Sequence, residues 1–440
     1  MCLTIPGKII DIKDGIASIQ NGRDIDKVDL GLVFGAKKGD WILYATDRAV
    51  KIIDEKEARE IIDLLESKYE KVDNSKLPAK LKEIIFNLRV NSKSQTLKPK
   101  QIPNTKFQIP KEDIEYLLNL KGEDELTTLY SEANTLRKEV LEDFVCIHGI
   151  IEFSNYCKNN CLYCGIRADN NILKRYRMTK SEIEKAAKEA IEEEGYKLIV
   201  LQSGEDFNYS DEDLIDIIKT LKANHKVFIF LSVGERSESF YKKAFKAGAH
   251  GSLFRFETSN PELFAKMHPG HTLEQRLGSL KMQKKIGYYI ASGSLVGLPG
   301  QTAIDIANDI LMITKLGIPM ISSGPFIPSK NTPLSQETNR KLKAESIELF
   351  LKYIAVARLV MPEIKIPVTT ALESLDPANG RHRGLLAGAN ALMFNLTPGK
   401  YCKNYNIYDN KYIEREKVWQ KYGLFKGEES YEMLEEQLQI

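Results

Sequence analysis

The sequence predicts an α/β protein in which a small β-barrel precedes a larger (β/α)₈ barrel of the TIM type. Eight short apolar runs alternate with amphipathic segments, a pattern that indicates a parallel sheet covered by helices on both faces. Polar or glycine residues follow nearly every run. Residues 1–45 differ, because short alternating segments there are separated by glycine turns.

The eight predicted strands of the larger barrel come in regular succession. Segments such as SEIEKAAKEAIEEEGY and EDLIDIIKTLKANH separate them and have the spacing of crossover helices. In barrels of this class the chemistry lies at the carboxyl ends of the strands. The residues that close each run are therefore candidate site residues. The runs are 147–154, 197–205, 227–235, 252–258, 289–297, 320–328, 365–373 and 391–398.

The front of the chain predicts an OB-like β-barrel that is followed by a helix. KIIDIKDGIASI and KVDLGLVFGAKKGDWILYAT alternate apolar and polar residues around glycine turns, and AVKIIDEKEAREIIDLLESKYEK has helical spacing. From 91 to 110 the chain is polar, Lys-rich and contains three prolines, which is linker composition. We expect a first domain at 1–75, a linker at 76–110 and the barrel with a C-terminal extension at 111–440.

The composition excludes several functional classes. Lys and Arg number 63 against 61 Asp and Glu, for a net charge of +2, so nucleic acid is not the expected partner. No run approaches the ~18 apolar residues of a membrane span, and MCLTIPGKII lacks the pattern of a signal peptide. Six cysteines in 440 residues do not make a disulfide framework. We expect a cytoplasmic protein whose thiols are available for metal.

Three of the six cysteines lie within NYCKNNCLYC, directly after the first predicted barrel strand. They are Cys157, Cys161 and Cys164, and no fourth cysteine is near them in the sequence. A structural zinc site takes four ligands, whereas an iron–sulfur cubane on three thiolates leaves one iron open to an outside ligand. An incomplete zinc site, a redox pair and buried core cysteines are the alternatives. We interpret the motif as the site of a [4Fe–4S] cluster with one open iron.

C-x3-C-x2-C with an aromatic residue, Tyr163, before its last cysteine resembles the signature of the radical S-adenosyl-L-methionine (SAM) superfamily. The resemblance implies that the open iron chelates the amino and carboxylate groups of SAM. An electron from the cluster then cleaves SAM to a 5′-deoxyadenosyl radical. Such an enzyme leaves the difficult chemistry to its cofactors, while the protein positions them and excludes water.

The resemblance also implies SAM contacts at the ends of later strands. Each residue has an ordinary alternative, such as a surface ion pair, a helix cap or a turn, but together they follow consecutive strands. The residues are Gln202, Ser203, Gly204 and Glu205 for the amino group, in place of a GGE motif; Glu235 for the ribose; Arg255 for the carboxylate, with Glu257 beside it; and Gly297, in GSLVG, for adenine.

Longer phrases between about residues 112 and 415 resemble HydE, the [FeFe]-hydrogenase maturase family. They include FRFETSNPELFAKMHP, GPFIPSKNTPL and TTALESLDPANGR. The resemblance implies that the radical acts on an iron–carbonyl–cyanide cysteinate complex made by the maturase HydG, with HydF as a further partner. Biotin synthase and the methylornithine synthase PylB share the fold, so a small organic substrate is an alternative, as is an iron-complex carrier without catalysis.

Two residues at the end of the seventh run and one in the loop that follows are candidates for substrate binding. Thr369 and Thr370 are expected to offer hydroxyl donors, although ordinary strand threonines explain them equally well. Arg381 is expected to bind an anion or to be a solvated loop charge. Cys402 is the one cysteine beyond the motif on its C-terminal side, so we expect a single cluster.

MCLTIPGKI and KKGDWILYATDRAVKIIDEKEAREIIDLLE resemble HypC, a small hydrogenase-assembly chaperone family. The resemblance implies that Cys2, exposed after removal of Met1, holds iron destined for CO and CN ligands, and that a HypD-like protein is a partner. A thiolate beside a free α-amino group suits soft iron, and an inert terminal cysteine is the alternative. HypC belongs to [NiFe]- and HydE to [FeFe]-hydrogenase maturation, so their fusion is unexpected.

Overall fold

The computed structural model describes residues 5–21, 24–31, 33–45, 48–66, 72–96, 109–141, 145–335 and 340–411. Cys2 lies outside these residues, so its predicted role stays a prediction. Within the described part of the chain, every helix is too short or too polar to cross a membrane.

The front of the chain is a closed five-stranded barrel, as predicted. Its strands are β1 (Ile5–Lys13), β2 (Ile16–Asn21), β3 (Asp24–Asp29), β4 (Trp41–Ala45) and β5 (Arg48–Ile53), in the order β1-β2-β3-β5-β4, and helix α1 (Glu55–Glu66) follows. A Cβ atom at Gly7 would lie 2.1 Å from Ile19 Cγ2 and 2.7 Å from the Tyr44 ring, so only glycine fits there. The apolar interior is formed by Ile9, Ala17, Ile19, Val28, Ile42, Tyr44 and Ala49.

The larger part begins with helices and then alternates strands with helices. A 3₁₀ turn (Asn74–Lys76) precedes α2 (Ala79–Thr96), α3 (Lys111–Leu118) and α4 (Glu123–Leu141). The first half of the barrel contains β6 (Cys146–Ser154), α5 (Lys180–Lys188, continued by a π-helical turn at Glu189–Glu193), β7 (Leu198–Ser203), α6 (Asp211–Asn224), β8 (Phe228–Ser232), α7 (Glu238–Ala247), β9 (Gly251–Leu253), α8 (Pro261–Met267) and α9 (Leu273–Ile286).

The second half has shorter strands. It contains β10 (Tyr289–Ser292), β11 (Leu295–Val296), α10 (Ala303–Leu316), β12 (Met320–Ile321), β13 (Gly324–Pro325), α11 (Arg340–Val360), β14 (Pro367–Val368), α12 (Thr370–Leu375), α13 (Gly380–Leu386), β15 (Ala391–Asn395) and α14 (Gly399–Cys402).

Eight parallel strands form a nearly closed barrel. The order is β12-β10-β9-β8-β7-β6-β15-β14, and a parallel bridge between Met320 and Lys365 joins the two edges. Each of the eight predicted runs supplies one strand, which confirms the predicted fold class. The fifth and sixth runs pair a second time beyond the main ladder, where β11 and β13 form a small parallel sheet.

Strand β6 is buried along its whole length, which explains its continuous apolar run. Its side chains alternate: Ile147, Ile151 and Phe153 belong to the large hydrophobic core under the helices, whereas Cys146 and Ile150 belong to the core inside the barrel. The strand ends at Ser154, on the face where the carboxyl ends of the parallel strands meet.

Helix α2 lies within the segment that we expected to be linker. Its side chains Leu81, Ile84 and Leu88 are buried in the same hydrophobic core as the barrel helices, so part of 76–110 is helical and packed. The boundaries between the expected segments 1–75, 76–110 and 111–440 stay predictions.

Candidate active site

The three cysteines of the motif lie together in the loop after β6. Burial, followed by the neighbouring Cys157 thiol, raises the pKa of Cys164 to about 12. Burial, followed by the thiols of Cys164 and Cys157, raises the pKa of Cys161 well above 9. Cys157 thus acts on both other thiols and Cys164 acts on Cys161, as expected for three sulfur atoms in one short loop. Binding iron requires their deprotonation, so the assembly of a metal centre here releases protons.

Arg175 holds this loop in shape. Its guanidinium donates to the carbonyl oxygens of Asn155 at 2.5 Å, Ile166 at 2.8 Å and Arg167 at 2.5 Å. The Asn155 side chain donates to the Lys174 carbonyl at 2.9 Å and accepts from the Tyr176 amide. Arg175 was not predicted as a site residue, because the only feature of its sequence context, KRYR, is its basic character.

A buried carboxylate joins the ends of β6 and β7. Asp206 accepts hydrogen bonds from the Ser154 hydroxyl at 2.6 Å and from Arg177 Nε at 2.7 Å and Nη2 at 3.0 Å. Although burial raises the pKa of Asp206, these hydrogen bonds lower it below its ordinary value. Asp206 was also missed, since the residue after a GE pair carries no signal of its own.

Gly204 and Glu205 approach the cysteine loop closely. A Cβ atom at Gly204 would lie 2.2 Å from the Tyr156 carbonyl oxygen and 2.7 Å from Cys157 Cβ, so glycine is required. The Glu205 amide donates to Cys157 Sγ at 3.4 Å. An amide aimed at a cysteine sulfur is a contact that iron–sulfur sites use to tune the metal.

The Glu205 carboxylate is buried beside this contact. Its Oε1 accepts from the Glu235 amide at 3.1 Å. Its Oε2 has no hydrogen-bond partner, although Lys158 Nζ lies 3.4 Å away. A buried carboxylate oxygen without a hydrogen bond suits an ammonium ligand.

Gln202 and Ser203, the other residues of this group, have partners of their own. Gln202 Oε1 accepts from the Ser232 hydroxyl at 3.3 Å, and the Ser203 hydroxyl donates to the Gly204 carbonyl at 2.7 Å. Their assignment to SAM stays a prediction.

Arg276 connects the third and fourth strand ends. Its Nε donates to Glu235 Oε1 at 2.9 Å, and its Nη1 donates to the Arg255 carbonyl at 3.0 Å. The guanidinium also packs over the Phe254 ring, 4.5 Å from its centroid. Glu235 is therefore already paired in the structure. Sequence reasoning missed Arg276, because a basic residue on an amphipathic helix ordinarily reads as solvated.

Arg255 and Glu257 form an ion pair with Nε and Oε1 3.2 Å apart. Glu257 has a φ of 67°, rare for a residue with a side chain. Its amide donates to the Gly293 carbonyl at 3.0 Å and its carbonyl accepts from Leu295, so the strained backbone is held from both sides. Glu257 Oε2 is buried without a hydrogen bond.

An apolar patch flanks the ion pair. Tyr163 lies in it, and the phenol hydroxyl is 2.9 Å from His268 Nε2. Gly297 follows β11 with a φ of 90°, which turns the chain at the edge of this patch. The patch comprises Tyr163, Leu263, Met267, Leu295, Leu298, Phe326 and Leu334. Most of its members are buried, and the contact of Gly297 with adenine stays a prediction.

The three candidate substrate residues differ in their surroundings. Thr369 Oγ1 is buried and has no hydrogen-bond partner. The Thr370 hydroxyl lies 2.9 Å from the Tyr408 hydroxyl. Arg381 pairs with the buried Glu373 carboxylate and packs over the Phe394 ring, so it is not a solvated loop charge. Their roles in substrate binding stay predictions.

The residues present fit a cubane cluster and SAM. Among the described residues, no three His, Cys, Asp or Glu side chains converge closely enough for a single metal ion. A cubane instead distributes its thiolates over separate irons. The donors and acceptors that such a cluster and a zwitterionic ligand need are present. They are the grouped thiols, the amide aimed at Cys157, and the oxygens of Glu205 and Glu257 that lack a hydrogen bond.

Comparison with known proteins agrees with this geometry. Residues 151–313 match the Radical SAM superfamily, and residues 1–65 match the HupF/HypC family. The chain is 43% identical over 300 residues to the [FeFe] hydrogenase maturase subunit HydE of Thermotoga maritima. The aligned residues make up 68% of this chain and 83% of that protein. It is 31% identical over 320 residues to the 3-methylornithine synthase of Methanosarcina acetivorans, covering 71% and 86%.

Solved structures show the same fold. Methylornithine synthase (PylB) superposes with a TM-score of 0.60 at 25% identity, covering 72% of this chain and 85% of that one. The [FeFe]-hydrogenase maturase HydG superposes with a TM-score of 0.64 at 21% identity, covering 86% and 81%. From its sequence identity and its site, the chain belongs to the HydE family of radical SAM enzymes and carries a HypC-like amino-terminal segment.

Proposed function

We propose that this protein is a maturase in hydrogenase active-site assembly that acts on an iron–carbonyl–cyanide cysteinate precursor. Cys157, Cys161 and Cys164 hold the [4Fe–4S] cluster, and the cluster with SAM supplies a 5′-deoxyadenosyl radical. The observation that supports this most strongly is the grouping of the three thiols beside two buried carboxylates, Glu205 and Glu257, that each keep an oxygen without a hydrogen bond.

The chain's own residues bind and orient SAM. Glu205 accepts from the ammonium group through Oε2, while the Glu235 amide holds Oε1 in place. Arg255 binds the SAM carboxylate and is aligned by Glu257. Glu235, held by Arg276, accepts from the ribose hydroxyls.

The substrate lies deeper in the barrel, towards β14. The buried hydroxyl of Thr369 has no hydrogen-bond partner and is suited to donate to an anionic complex. Thr370 and Arg381 contribute to the same wall, Thr370 through its contact with Tyr408 and Arg381 through its pair with Glu373. A closed barrel suits an oxygen-sensitive substrate because it excludes water and small reactants.

The HypC-like segment docks or relays the iron complex through Cys2. Its partners are other maturases, HydG as the source of the complex and HydF downstream, or a HypD-like protein. The match of residues 1–65 to the HupF/HypC family supports this role.

One experiment tests the proposal against its two alternatives. The cluster is reconstituted anaerobically and reduced with SAM present, and 5′-deoxyadenosine is measured with and without the HydG product. We expect that the iron complex stimulates cleavage. If an organic molecule stimulates cleavage and the iron complex does not, the result supports a small organic substrate, the alternative that similarity to 3-methylornithine synthase suggests. Absence of cleavage under every condition indicates a carrier.

A further inference from the structure

A carboxylate on α10 connects two of the loops that form the candidate SAM site. Asp309 is fully buried. Its Oδ1 accepts from the backbone amide and the hydroxyl of Ser259, each at 2.6 Å. Ser259 lies two residues after Glu257, so this contact fixes the loop that carries the Arg255–Glu257 pair.

The other oxygen of the same carboxylate connects to the fifth strand end. Asp309 Oδ2 accepts from Gln301 Nε2 at 3.0 Å. Gln301 Oε1 in turn accepts from the amides of Gly297 at 2.7 Å and Leu298 at 3.1 Å. Gln301 therefore holds the turn at Gly297, where φ is 90°. We call the pair Asp309 and Gln301 the α10 bridge.

The α10 bridge works only with one arrangement of donors and acceptors. The Ser259 and Gln301 groups that face Asp309 donate to it, so position 309 must accept through both oxygens. The Gln301 amide must then point its oxygen at Gly297 and Leu298. An asparagine at position 309 would place its NH₂ group against the NH₂ group of Gln301. If Gln301 turned to avoid this, its own NH₂ group would face the amides of Gly297 and Leu298.

Protonation of Asp309 would cause the same conflict. Burial raises the pKa of Asp309 to about 7. Hydrogen bonds from Ser259 and from the Ser294 side chain oppose this, and Asp305, one turn away on α10, adds to the rise. Tyr353 on α11 also interacts electrostatically with Asp309, and it stays protonated because burial raises its pKa. The bridge is therefore intact at alkaline pH and loses an acceptor as pH falls through about 7.

We propose that Asp309 and Gln301 are positioning residues of the SAM site, which set the separation between the Arg255–Glu257 loop and the Gly297 turn and thereby the fit of the adenosyl part of SAM. The inference rests on the proposed SAM site. Neither residue touches the ligand in this account. Both act through the loops that do.

The test measures the dissociation constant of SAM by equilibrium dialysis, in full-length reconstituted protein. Gln301→Ala and Asp309→Asn are each expected to weaken SAM binding about tenfold, the effect of losing one or two positioning hydrogen bonds. SAM cleavage at saturating SAM is expected to stay within about twofold, because the chemical step is untouched. Asn308→Ala, an exposed neighbour on α10, is the control and is expected to bind as the wild type does.

A compensating variant separates positioning from general stability. In Asp309→Asn with Gln301→Glu, the new amide donates to the new carboxylate, which still accepts from Gly297 and Leu298. The double variant is therefore expected to recover most of the affinity lost in Asp309→Asn. SAM binding by the wild type is expected to weaken below pH 7, and binding by Asp309→Asn is expected to vary less.

Two results overturn the proposal. In one, Gln301→Ala lowers the melting temperature but leaves the SAM dissociation constant unchanged. In the other, the double variant binds no better than Asp309→Asn. If the wild type itself binds no SAM, the proposed function fails and this inference fails with it, whereas wild-type binding that is indifferent to these variants overturns only the inference.

Discussion

Arg175 donates hydrogen bonds to four carbonyl oxygens of the segment that carries the three cysteines. The fourth acceptor is the Asn170 carbonyl, at 3.3 Å. Hydrogen bonds from a charged donor each stabilise by about 1.5–3 kcal/mol, and carbonyls left unpaired cost free energy. One side chain therefore determines the shape of a loop that has no regular secondary structure of its own.

We expect Arg175→Met to lose much of the cluster while the barrel stays folded. After anaerobic reconstitution, iron and sulfide per chain are expected to fall to about half or less, because the loop no longer holds its thiols together. Lys174→Met, an exposed neighbour, is the control and is expected to keep its iron. Normal iron content in Arg175→Met would show that the cysteines do not depend on the guanidinium.

The predictable and unpredictable residues of the site differ in a physical way. The cysteines and the strand-end Glu205 and Arg255 could be found because they stand at fixed places in recognisable motifs. Arg276 and Asp309 could not, because a charged residue on an amphipathic helix is ordinarily solvated. Both are buried here, and only tertiary packing reveals their partners.

At the scale of elements, the segment 399–411 forms a strap over the barrel mouth. The Ile407 carbonyl accepts from the Gly165 amide at 2.9 Å, and the Asn404 carbonyl accepts from the Asn155 side chain at 2.7 Å. A Cβ atom at Gly165 would lie 2.1 Å from the Asn406 carbonyl oxygen, so the strap and the cysteine loop meet too closely for any other residue. Lys411 ends the described strap in a buried ion pair with Glu152.

Glu182 anchors the other end of the strap to the start of α5. It accepts from Lys400 and from the Tyr401 hydroxyl, and it forms a capping box with Thr179. The hydrogen bond from Lys400, then those from the Thr179 amide and Tyr401, lower its pKa from 4.5 to about 2. The folded state thus favours the ionised form, so this stabilisation is complete above pH 4.5 and is lost as pH falls towards 2.

We expect Glu182→Gln to be less stable than the wild type at pH 7, by roughly 1 kcal/mol, because a partly exposed charged contact is lost. The difference is expected to shrink steadily below pH 4.5, where the wild-type carboxyl begins to take up its proton. Urea denaturation of the cluster-free protein at several pH values measures it. Glu189→Gln, a half-exposed neighbour, serves as control. A difference that stays constant from pH 7 to 3 would contradict this assignment.

The lengths of the elements were less predictable than their order. The run 320–328 reads as one strand, yet its ladder contacts divide between β12 and β13, because the chain leaves the main sheet to pair with β11. Similarly, the linker expected over 76–110 overlooked α2, whose side chains Leu81, Ile84 and Leu88 are buried where the helix contacts α4 and α11. The apolar periodicity and composition of the sequence reveal which helices and strands exist. Their tertiary contacts decide at which residue each one ends.

At the scale of the whole molecule, a HypC-like segment and a barrel of the HydE family are joined in one chain. The fold of both parts follows from local pattern, since each part buries a core of its own. The proposed transfer of iron between the two parts depends on Cys2, which lies outside the described residues. It has to be tested in the full-length protein.

Cys2→Ala is expected to separate the two activities. SAM cleavage by the reconstituted variant is expected to match the wild type, because the barrel holds all the residues assigned to SAM. The rate of hydrogenase activation in a maturation assay is expected to fall severalfold, because iron-complex delivery loses its thiolate. Maturation at the normal rate would refute the relay role, while a loss of SAM cleavage would place Cys2 in the catalytic machinery instead.

The central claim is that three thiolates hold a cluster whose open iron binds SAM. The most direct measurement is 5′-deoxyadenosine formed by anaerobically reconstituted, reduced protein in the Cys161→Ala variant, compared with Cys402→Ala, which removes a buried cysteine that is not part of the three-cysteine motif. We expect no product above background in Cys161→Ala and wild-type yield in Cys402→Ala. Product formation by Cys161→Ala, or its loss in Cys402→Ala alone, would contradict it.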